Sequence, residues 1–376
     1  MHVGLNLVYL VPGETGGMET YARELIPALL EERPNVRLTA FINREAAEVR
    51  EGPWHDLIPT VTVPVLARRR TEWVRGEQQL LPKLAARSGV HLLHSLASTA
   101  PAWGAFRRVV TIHDVIYRIY PEAHFGFRSL AMRVLVPLAA RRSHRIIAPS
   151  NSTRDDLVRL LGISRWKVDV VPEGVGTTAS ATPHSPDEIR ARHALNDRPV
   201  VLALSAKRPH KNLPQLLKAL ALIPHERRPV LMLPGYPTPH EVELRRQVVD
   251  LDLAADVRLV GWVSAEELEG LYRTATCFVF PSLYEGFGLP VLEAMARGVP
   301  VACSDRGSLA EVAGGAARLF DPTSPHSIAK AIESVLGDGN EAERLRTAGL
   351  ERARQFSWTT TAHETLSSYE RALAAD

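Results

Sequence analysis

The chain has few cysteines, little net charge and no long uninterrupted apolar run. Its 376 residues contain only two cysteines, Cys277 and Cys303, and both lie in apolar segments. We therefore expect buried thiols rather than a disulfide framework, which fits a reducing compartment such as the cytoplasm. The formal net charge of +3 argues against a protein that binds nucleic acid. No segment reaches about eighteen consecutive apolar residues, so no transmembrane helix is predicted.

The first residues also lack the pattern of a secretory leader. Residues 1–6 do not combine a basic segment with a following apolar stretch, so we expect no signal peptide. The composition of the chain is otherwise that of a globular protein. Hydrophobic residues make up 45% of it, and its length is typical of two domains with sizeable cores.

Basic residues gather in one part of the first half. Between residues 60 and 145, fourteen Arg and Lys stand against four Asp and Glu, with runs at 68–70, 107–108 and 141–142. A solvated basic face is one interpretation, and a surface for an anionic acceptor or membrane head groups is the other. The helix predicted over 127–142 leaves the same choice open. It combines arginines with an apolar stripe that fits either packing on a sheet or lying on a membrane. The members of the stripe are Phe127, Leu130, Val134, Leu135 and Leu138.

Short apolar segments alternate with helical patterns along nearly the whole chain. This alternation predicts an α/β protein with doubly wound parallel sheets, in which ligands bind at the carboxyl ends of the strands. Residues 176–198 are rich in Thr, Ser, Ala and Pro and lack an apolar period, so they mark the domain boundary. The predicted strands are 3–11, 36–42, 61–65, 91–94, 109–112, 145–148, 168–171, 200–205, 230–233, 257–260, 277–280, 299–303 and one ending at 320.

Residues 281–297 carry the clearest candidate site. A glycine loop with Gly286 and Gly288 follows an apolar strand, and a proline then opens a helix. The amides and positive dipole of a helix start favour anions, and glycines let the backbone approach a ligand closely. Glu285 and Glu293 bracket the loop. We predict a diphosphate on these amides, Glu293 on ribose hydroxyls and Glu285 on a sugar, and the alternative is a loop that merely closes a turn.

Two other strand ends carry candidate residues. Gly16 and Gly17 lie between the first strand and a helix, but they do not form a GxGxxG fingerprint, so a nicotinamide cofactor is disfavoured. His113 follows the strand 109–112, a position that favours function over a structural role. An ordinary turn and a structural histidine are the respective alternatives.

A basic loop follows the strand 200–205. Lys207, Arg208 and Lys211 are cations at a strand end, a placement that suits a diphosphate. A basic surface loop without function is the alternative.

Two glutamates with seven residues between them, around the sequence Gly-Phe-Gly-Leu-Pro at 286–290, form a pattern that resembles the signature of retaining glycosyltransferases of the family-4 type. The resemblance implies a GT-B fold, with two Rossmann-like domains facing across a cleft. It implies an acceptor-binding domain over 1–178, a domain over 179–357 that binds the nucleotide-sugar donor, and a helix over 358–376 that crosses back to the first domain.

The resemblance also implies roles for single residues. It makes Lys211 the family lysine and places His113 at the donor sugar, while Ser205 stands where the family usually has an arginine. Lys207 or Arg208 would then supply the missing charge. The implied catalytic residues are His113, Glu285 and Lys211, and the implied donor-binding residues are Gly16, Gly17, Lys207, Arg208, Lys211, Gly235, Val263, Glu285, Gly286, Phe287, Gly288, Leu289 and Glu293.

The function so implied is transfer of a hexose, mannose-like or rhamnose-like, from a nucleoside-diphosphate sugar with retention of configuration. The acceptor would be a glycan, a lipid-linked sugar or a natural product. Independently of the resemblance, the cysteines favour a cytoplasmic location, and the basic first half favours peripheral contact with a membrane. No Asp-x-Asp motif lies in a convincing loop, so we expect neither a metal nor another cofactor. A non-catalytic nucleotide-sugar-binding or glycan-binding protein and a GT-B phosphorylase or epimerase remain alternatives.

Overall fold

The computed structural model describes residues 1–121, 127–176 and 182–375, without the side chains of 127–130. The chain forms two compact units. The first consists of residues 1–176 and 356–376, and the second of residues 177–355. The boundaries predicted from the sequence fall after residues 178 and 357. The roles assigned to the two domains stay predictions.

The first unit is built on a seven-stranded parallel sheet with the order β3-β2-β1-β4-β5-β6-β7. Its central strands are buried on both faces, which is why they read as apolar runs in the sequence. The register places Val3 of β1 beside Leu38 of β2 and Leu92 of β4. The strands are β1 His2–Leu7, β2 Arg37–Ile42, β3 Thr60–Thr62, β4 Leu92–Ser95, β5 Arg107–Thr111, β6 Arg145–Ala148 and β7 Val168–Val170.

Helices lie between successive strands of this sheet, except between β4 and β5, and such crossover connections let the strands pair in parallel. A π-helical segment, Gly76–Leu80, interrupts the single helix that the sequence predicts around 72–87. The helices are α1 Gly17–Glu32, α2 Arg44–Val49, α3 Pro53–Asp56, α4 Arg70–Arg75, α5 Leu81–Arg87, α6 Ile116–Ile119, α7 Phe127–Arg142 and α8 Asn151–Leu161.

The apolar stripe predicted for α7 was partly wrong. Val134, one of its members, is 60% exposed, whereas Val136, Ala139 and Ala140 are fully buried. Leu135 and Leu138, two other members, are partly buried, so the buried face of α7 overlaps the predicted stripe and extends to smaller residues that the stripe left out. Phe127 and Leu130, two other predicted members, lie outside the described side chains.

The second unit holds a six-stranded parallel sheet with the order β10-β9-β8-β11-β12-β13. Serine side chains cap three of its helices, and Ser264 accepts from the Glu267 amide as its sequence predicts. Its strands are β8 Val200–Leu202, β9 Val230–Leu233, β10 Val257–Leu259, β11 Cys277–Phe280, β12 Val301–Ser304 and β13 Arg318–Phe320. Its helices are α9 Pro186–His193, α10 Leu213–Leu222, α11 Glu241–Asp250, α12 Ala265–Thr274, α13 Leu289–Ala296, α14 Ser308–Ala313, α15 Pro325–Gly337 and α16 Gly339–Ala353.

The last helix, α17 Trp358–Ala374, belongs to the first unit, where it packs against α1. Ser357 caps it by accepting from the Thr360 amide. The Tyr369 hydroxyl lies 2.7 Å from Nδ1 of the buried His94, and this hydrogen bond ties the helix to β4. Leu366 and Tyr369 join the core that α1 covers.

Both cysteines are buried and free, which confirms the prediction made for them. Burial raises the pKa of each thiol to about 12. Among the described residues, no helix combines the length and the apolar character needed to cross a membrane.

Candidate functional site

The glycine loop lies between β11 and α13, as the sequence predicts. Pro290 sits in the first turn of α13, where a missing amide hydrogen costs nothing. Gly288 has φ 119°, and a Cβ there would lie 2.6 Å from Cδ2 of Leu309. Glycine is therefore required at this position both by backbone conformation and by space.

A serine from the next strand–helix connection holds the loop in shape. The fully buried Ser308 hydroxyl lies 2.9 Å from the Glu285 carbonyl and 2.7 Å from the Phe287 carbonyl. The Phe287 side chain is buried, so it contributes packing. The backbone around Glu285 is thus fixed before any ligand binds.

Lys211 and Glu285 form a close ion pair. The Nζ of Lys211 lies 2.6 Å from Oε1 of Glu285, and the two side chains are 17% and 16% exposed. The ammonium also lies 5.2 Å from the centre of the Phe280 ring, at the end of β11. Two of the three predicted catalytic side chains therefore meet, and Glu285 is not directed into bulk solvent.

Glu293 lies in α13 one turn beyond the loop and accepts a hydrogen bond from the Tyr272 hydroxyl at 3.1 Å. The Arg297 guanidinium stacks 4.7 Å from the centre of the Tyr272 ring and pairs with Glu269. Burial, followed by the charge of Glu293, raises the pKa of Tyr272, so this hydroxyl stays a donor. The arrangement orients the Glu293 carboxylate that the sequence predicts to bind ribose.

The Lys207 side chain is buried and bonded to backbone carbonyls, as is typical of a structural residue. It is 1% exposed, and its Nζ donates to the Gly235 carbonyl at 2.8 Å and the Val260 carbonyl at 2.9 Å. The ammonium also lies 3.5 Å from Oε2 of Glu241. A donor contact through Lys207 would require it to leave these acceptors. Arg208 is partly buried and forms no ion pair in the described part of the chain.

The loops after β8, β9 and β10 are tied together by this lysine. Gly235 has φ 143°, and a Cβ there would lie 2.0 Å from the Ser205 carbonyl oxygen, so the close approach of two loops requires glycine. The Gly235 amide donates to the Gly261 carbonyl at 3.0 Å. Beside Val263, the Trp262 ring is exposed and stacks on Tyr236 with centroids 4.5 Å apart.

In the first unit, Gly16 is the N-cap of α1 with φ 65°, and Gly17 begins the helix. A Cβ at either glycine would have no heavy atom within 4 Å, so the space beside them is open. The carboxylate of Glu19, in the first turn, accepts from the Gly13 amide at 2.8 Å. Glu19 therefore folds the preceding loop back onto the helix start.

His113 lies just beyond β5, and both of its ring nitrogens face acceptors. Nδ1 is 3.0 Å from Oε1 of Glu173, and Nε2 is 2.8 Å from the Leu96 carbonyl. Burial lowers the pKa of His113, but the hydrogen bond and charge of Glu173, with smaller effects of Leu96 and Asp114, raise it overall. This geometry favours a charged imidazolium whose nitrogens are already occupied.

Three residues of these environments are absent from the sequence-based site. Glu173, Ser308 and Tyr272 support His113, Glu285 and Glu293 respectively. The sequence around these three residues predicts only turns and helix starts, and it gives no indication that they contact the site. The structure groups the remaining predicted residues by unit, with Gly16, Gly17 and His113 in the first and the others in the second.

Comparison with known proteins agrees with this architecture. The family model for glycosyl transferases group 1 matches residues 185–352, and that for glycosyltransferase family 4 matches residues 15–179. The chain is 33% identical to O-antigen chain mannosyltransferase B of Escherichia coli, over 70% of each chain. It is 32% identical to the D-inositol 3-phosphate glycosyltransferase of Kineococcus radiotolerans, over 96% of this chain and 92% of the relative.

A solved structure supports the same fold. The Anabaena protein Alr3699/HepE, crystallised with UDP and glucose, matches with a TM-score of 0.76 at 21% identity, over 98% of this chain and 99% of the other. The two parallel α/β units thus have the GT-B fold. The chain belongs to the glycosyltransferases of group 1, in the family-4 type.

Proposed function

We propose that this glycosyltransferase moves a hexose, mannose in the first instance, from a nucleoside-diphosphate sugar to a glycan or lipid-linked acceptor with retention of configuration. The observation that carries the proposal is the Lys211–Glu285 pair beside the glycine loop that opens α13. The mannosyltransferase relative supports the choice of sugar. The inositol-phosphate relative makes a small phosphorylated acceptor the second choice.

The proposed chemistry follows from charge. The bond between the anomeric carbon and the diphosphate breaks, a bond to the acceptor oxygen forms on the same face, and the acceptor proton passes to the leaving phosphate. Lys211 and the amino end of α13 stabilise the negative charge that grows on the leaving group. Glu285 binds sugar hydroxyls and Glu293 binds the ribose. The role at the donor sugar that the sequence assigns to His113, in the first unit, stays a prediction.

The test is release of nucleoside diphosphate from GDP-mannose, UDP-glucose and dTDP-rhamnose, in the presence of lipid-linked glycan or inositol phosphate. Lys211→Ala, Glu285→Ala and Glu293→Ala should each lower the rate by about a hundredfold, since removing one transition-state contact has an effect of this order. Lys218→Ala, an exposed lysine on α10, is the matched control. Near wild-type rates in all three variants would exclude the proposed site.

Three further measurements separate the alternatives. NMR of the product anomer tests retention, and activity in excess EDTA tests metal independence. Tight nucleotide binding without turnover of any donor would identify a binding protein. Formation of sugar 1-phosphate from glycan and inorganic phosphate would identify a phosphorylase.

A further inference from the structure

A cluster of cations lies at the amino ends of β5, β6 and β7. We define the basic edge as Arg108 in β5, Arg141 and Arg142 at the end of α7, and Lys167 just before β7. Parallel strands place all their amino ends along one edge of a sheet. The basic edge is therefore opposite the carboxyl edge of the same sheet, where His113 lies.

Hydrogen bonds join these residues into one surface. Arg108 Nε donates to the Arg142 carbonyl at 3.0 Å, and Lys167 Nζ donates to the Arg141 carbonyl at 2.8 Å. The side chains of Arg108 and Lys167 therefore lie over the carboxyl end of α7. The side chains of Arg141 and Arg142 remain exposed to solvent.

The charge of the basic edge is not compensated within the described residues, where none of its four cations forms an ion pair with a carboxylate. Neighbouring arginines differ, because Arg145 pairs with Asp169 and Arg165 pairs with Asp155. Burial, followed by the charge of Arg108, lowers the pKa of Lys167. The cations are therefore held close together against their mutual repulsion, which an anionic partner would relieve.

Two exposed tryptophans flank the basic edge. Trp103 is 48% exposed and adjoins Gly104, whose carbonyl accepts from Arg108 Nη1 at 3.2 Å. Trp166 is 71% exposed and adjoins Lys167. Large exposed aromatic rings beside arginines are typical of surfaces at the membrane–water interface, where the indole lies at head-group level.

We propose that the basic edge, with Trp103 and Trp166, docks on an anionic lipid surface. Nucleic acid shares the affinity for cations, but the net charge of +3 and the exposed indoles favour lipid. Docking here leaves the carboxyl edge of the sheet open to ligands. The carboxyl edge would lie about 17 Å farther from the lipid than the basic edge, because this is the length of a five-residue strand. Such a distance suits the growing end of a long acceptor that is anchored in the lipid.

The experiment is cosedimentation of the full chain with vesicles of phosphatidylcholine alone and of phosphatidylcholine with phosphatidylglycerol. Each cation near an anionic surface contributes about fivefold to binding, so the double variant Arg141→Gln/Arg142→Gln should bind the mixed vesicles roughly twenty-fivefold more weakly. Trp166→Ser should also weaken binding. Arg75→Gln/Arg87→Gln is the matched control, because both arginines are exposed and lie in the last turn of a helix.

The outcomes separate this proposal from its competitors. Binding that requires phosphatidylglycerol, weakens with salt and resists free glycerol phosphate supports a lipid surface. Absence of binding, equal losses in the two double variants, or displacement of vesicles by RNA would overturn it. The assay contains no nucleotide or sugar, so its failure leaves the proposed transfer reaction untouched, and loss of transfer activity says nothing about docking.

Discussion

Lys211 and Glu285, 74 positions apart in the sequence, meet at 2.6 Å between Nζ and Oε1. Both side chains are largely buried, so each neutralises the other before a donor binds. A diphosphate would bring its own negative charge to the lysine. The pair therefore links the two charged groups on which the proposed donor site depends.

Single substitutions of Lys211 and Glu285 should affect nucleotide affinity differently. Lys211→Ala should weaken binding of the nucleoside diphosphate about tenfold or more, because a charge-assisted contact is lost. Glu285→Gln should leave this affinity unchanged or raise it, because a carboxylate that repels phosphate becomes neutral. Isothermal titration with GDP and UDP measures both, with Lys218→Ala as the control.

Equal effects of the two substitutions would contradict a role of the Lys211–Glu285 pair in donor binding. If Glu285→Gln and Lys211→Ala weaken nucleotide binding equally, the pair serves only to hold the loop. Unfolding in urea should accompany the titrations, since removal of either partner leaves the other charge largely buried and unpaired.

Gly288→Ala should destabilise the second unit more than Gly315→Ala does. Both glycines have positive φ, 119° and 85°, but only Gly288 would place its Cβ in contact with Leu309. The strained backbone alone costs about 1 kcal/mol in unfolding free energy, and the contact adds to this at Gly288. Chemical denaturation of the two variants isolates the contact, and equal losses would show that Leu309 moves away freely.

Strands and helix starts that depend on a few adjacent residues could be predicted from the sequence. Strand β11 at Cys277–Phe280 and the start of α13 near Pro290 were predicted correctly, because a buried parallel strand is a continuous apolar run and proline favours a first helical turn. Strand β1, predicted over 3–11, ends at Leu7, where the Leu10 amide turns back to the Leu7 carbonyl. The apolar run continues there although the strand does not.

Partners from distant segments could not be predicted in this way. In the basic loop, Lys207 is buried and Lys211 is partly accessible. The sequence predicts the same role, contact with a diphosphate, for both lysines. The difference arises from the carbonyls of Gly235 and Val260, which belong to two other strand ends. The Glu173 carboxylate likewise reaches His113 across 60 positions.

Ser308→Ala should lower both the stability and the nucleotide affinity of the second unit. The substitution removes the hydroxyl that donates to the carbonyls of Glu285 and Phe287, at a cost of about 1–3 kcal/mol in unfolding free energy. The loop would then lose its fixed shape. Ser327→Ala, which removes the acceptor of the Asp321 amide, is a control in the same unit. Stability that falls without any change in GDP or UDP titration would contradict a role in positioning.

Glu173→Gln should lower the pKa of His113 and change the pH dependence of stability. The native pKa of His113 lies above its ordinary value, chiefly because Glu173 outweighs burial. The resulting stabilisation is present below the unfolded pKa of about 6.5 and is lost as pH rises through the native pKa. The difference in unfolding free energy between wild type and variant, about 2 kcal/mol at the acid end, should therefore shrink as pH rises.

Histidine NMR titrations and urea unfolding between about pH 5 and 8 test this expectation. His113→Asn assigns the resonance. Glu32→Gln is the matched control, because it changes another His–Glu pair whose histidine, His363, is 68% exposed. Solvent screens that pair, so its loss should alter stability by less than about 1 kcal/mol. A His113 resonance that titrates identically in wild type and Glu173→Gln would show that the carboxylate does not hold the proton on the ring.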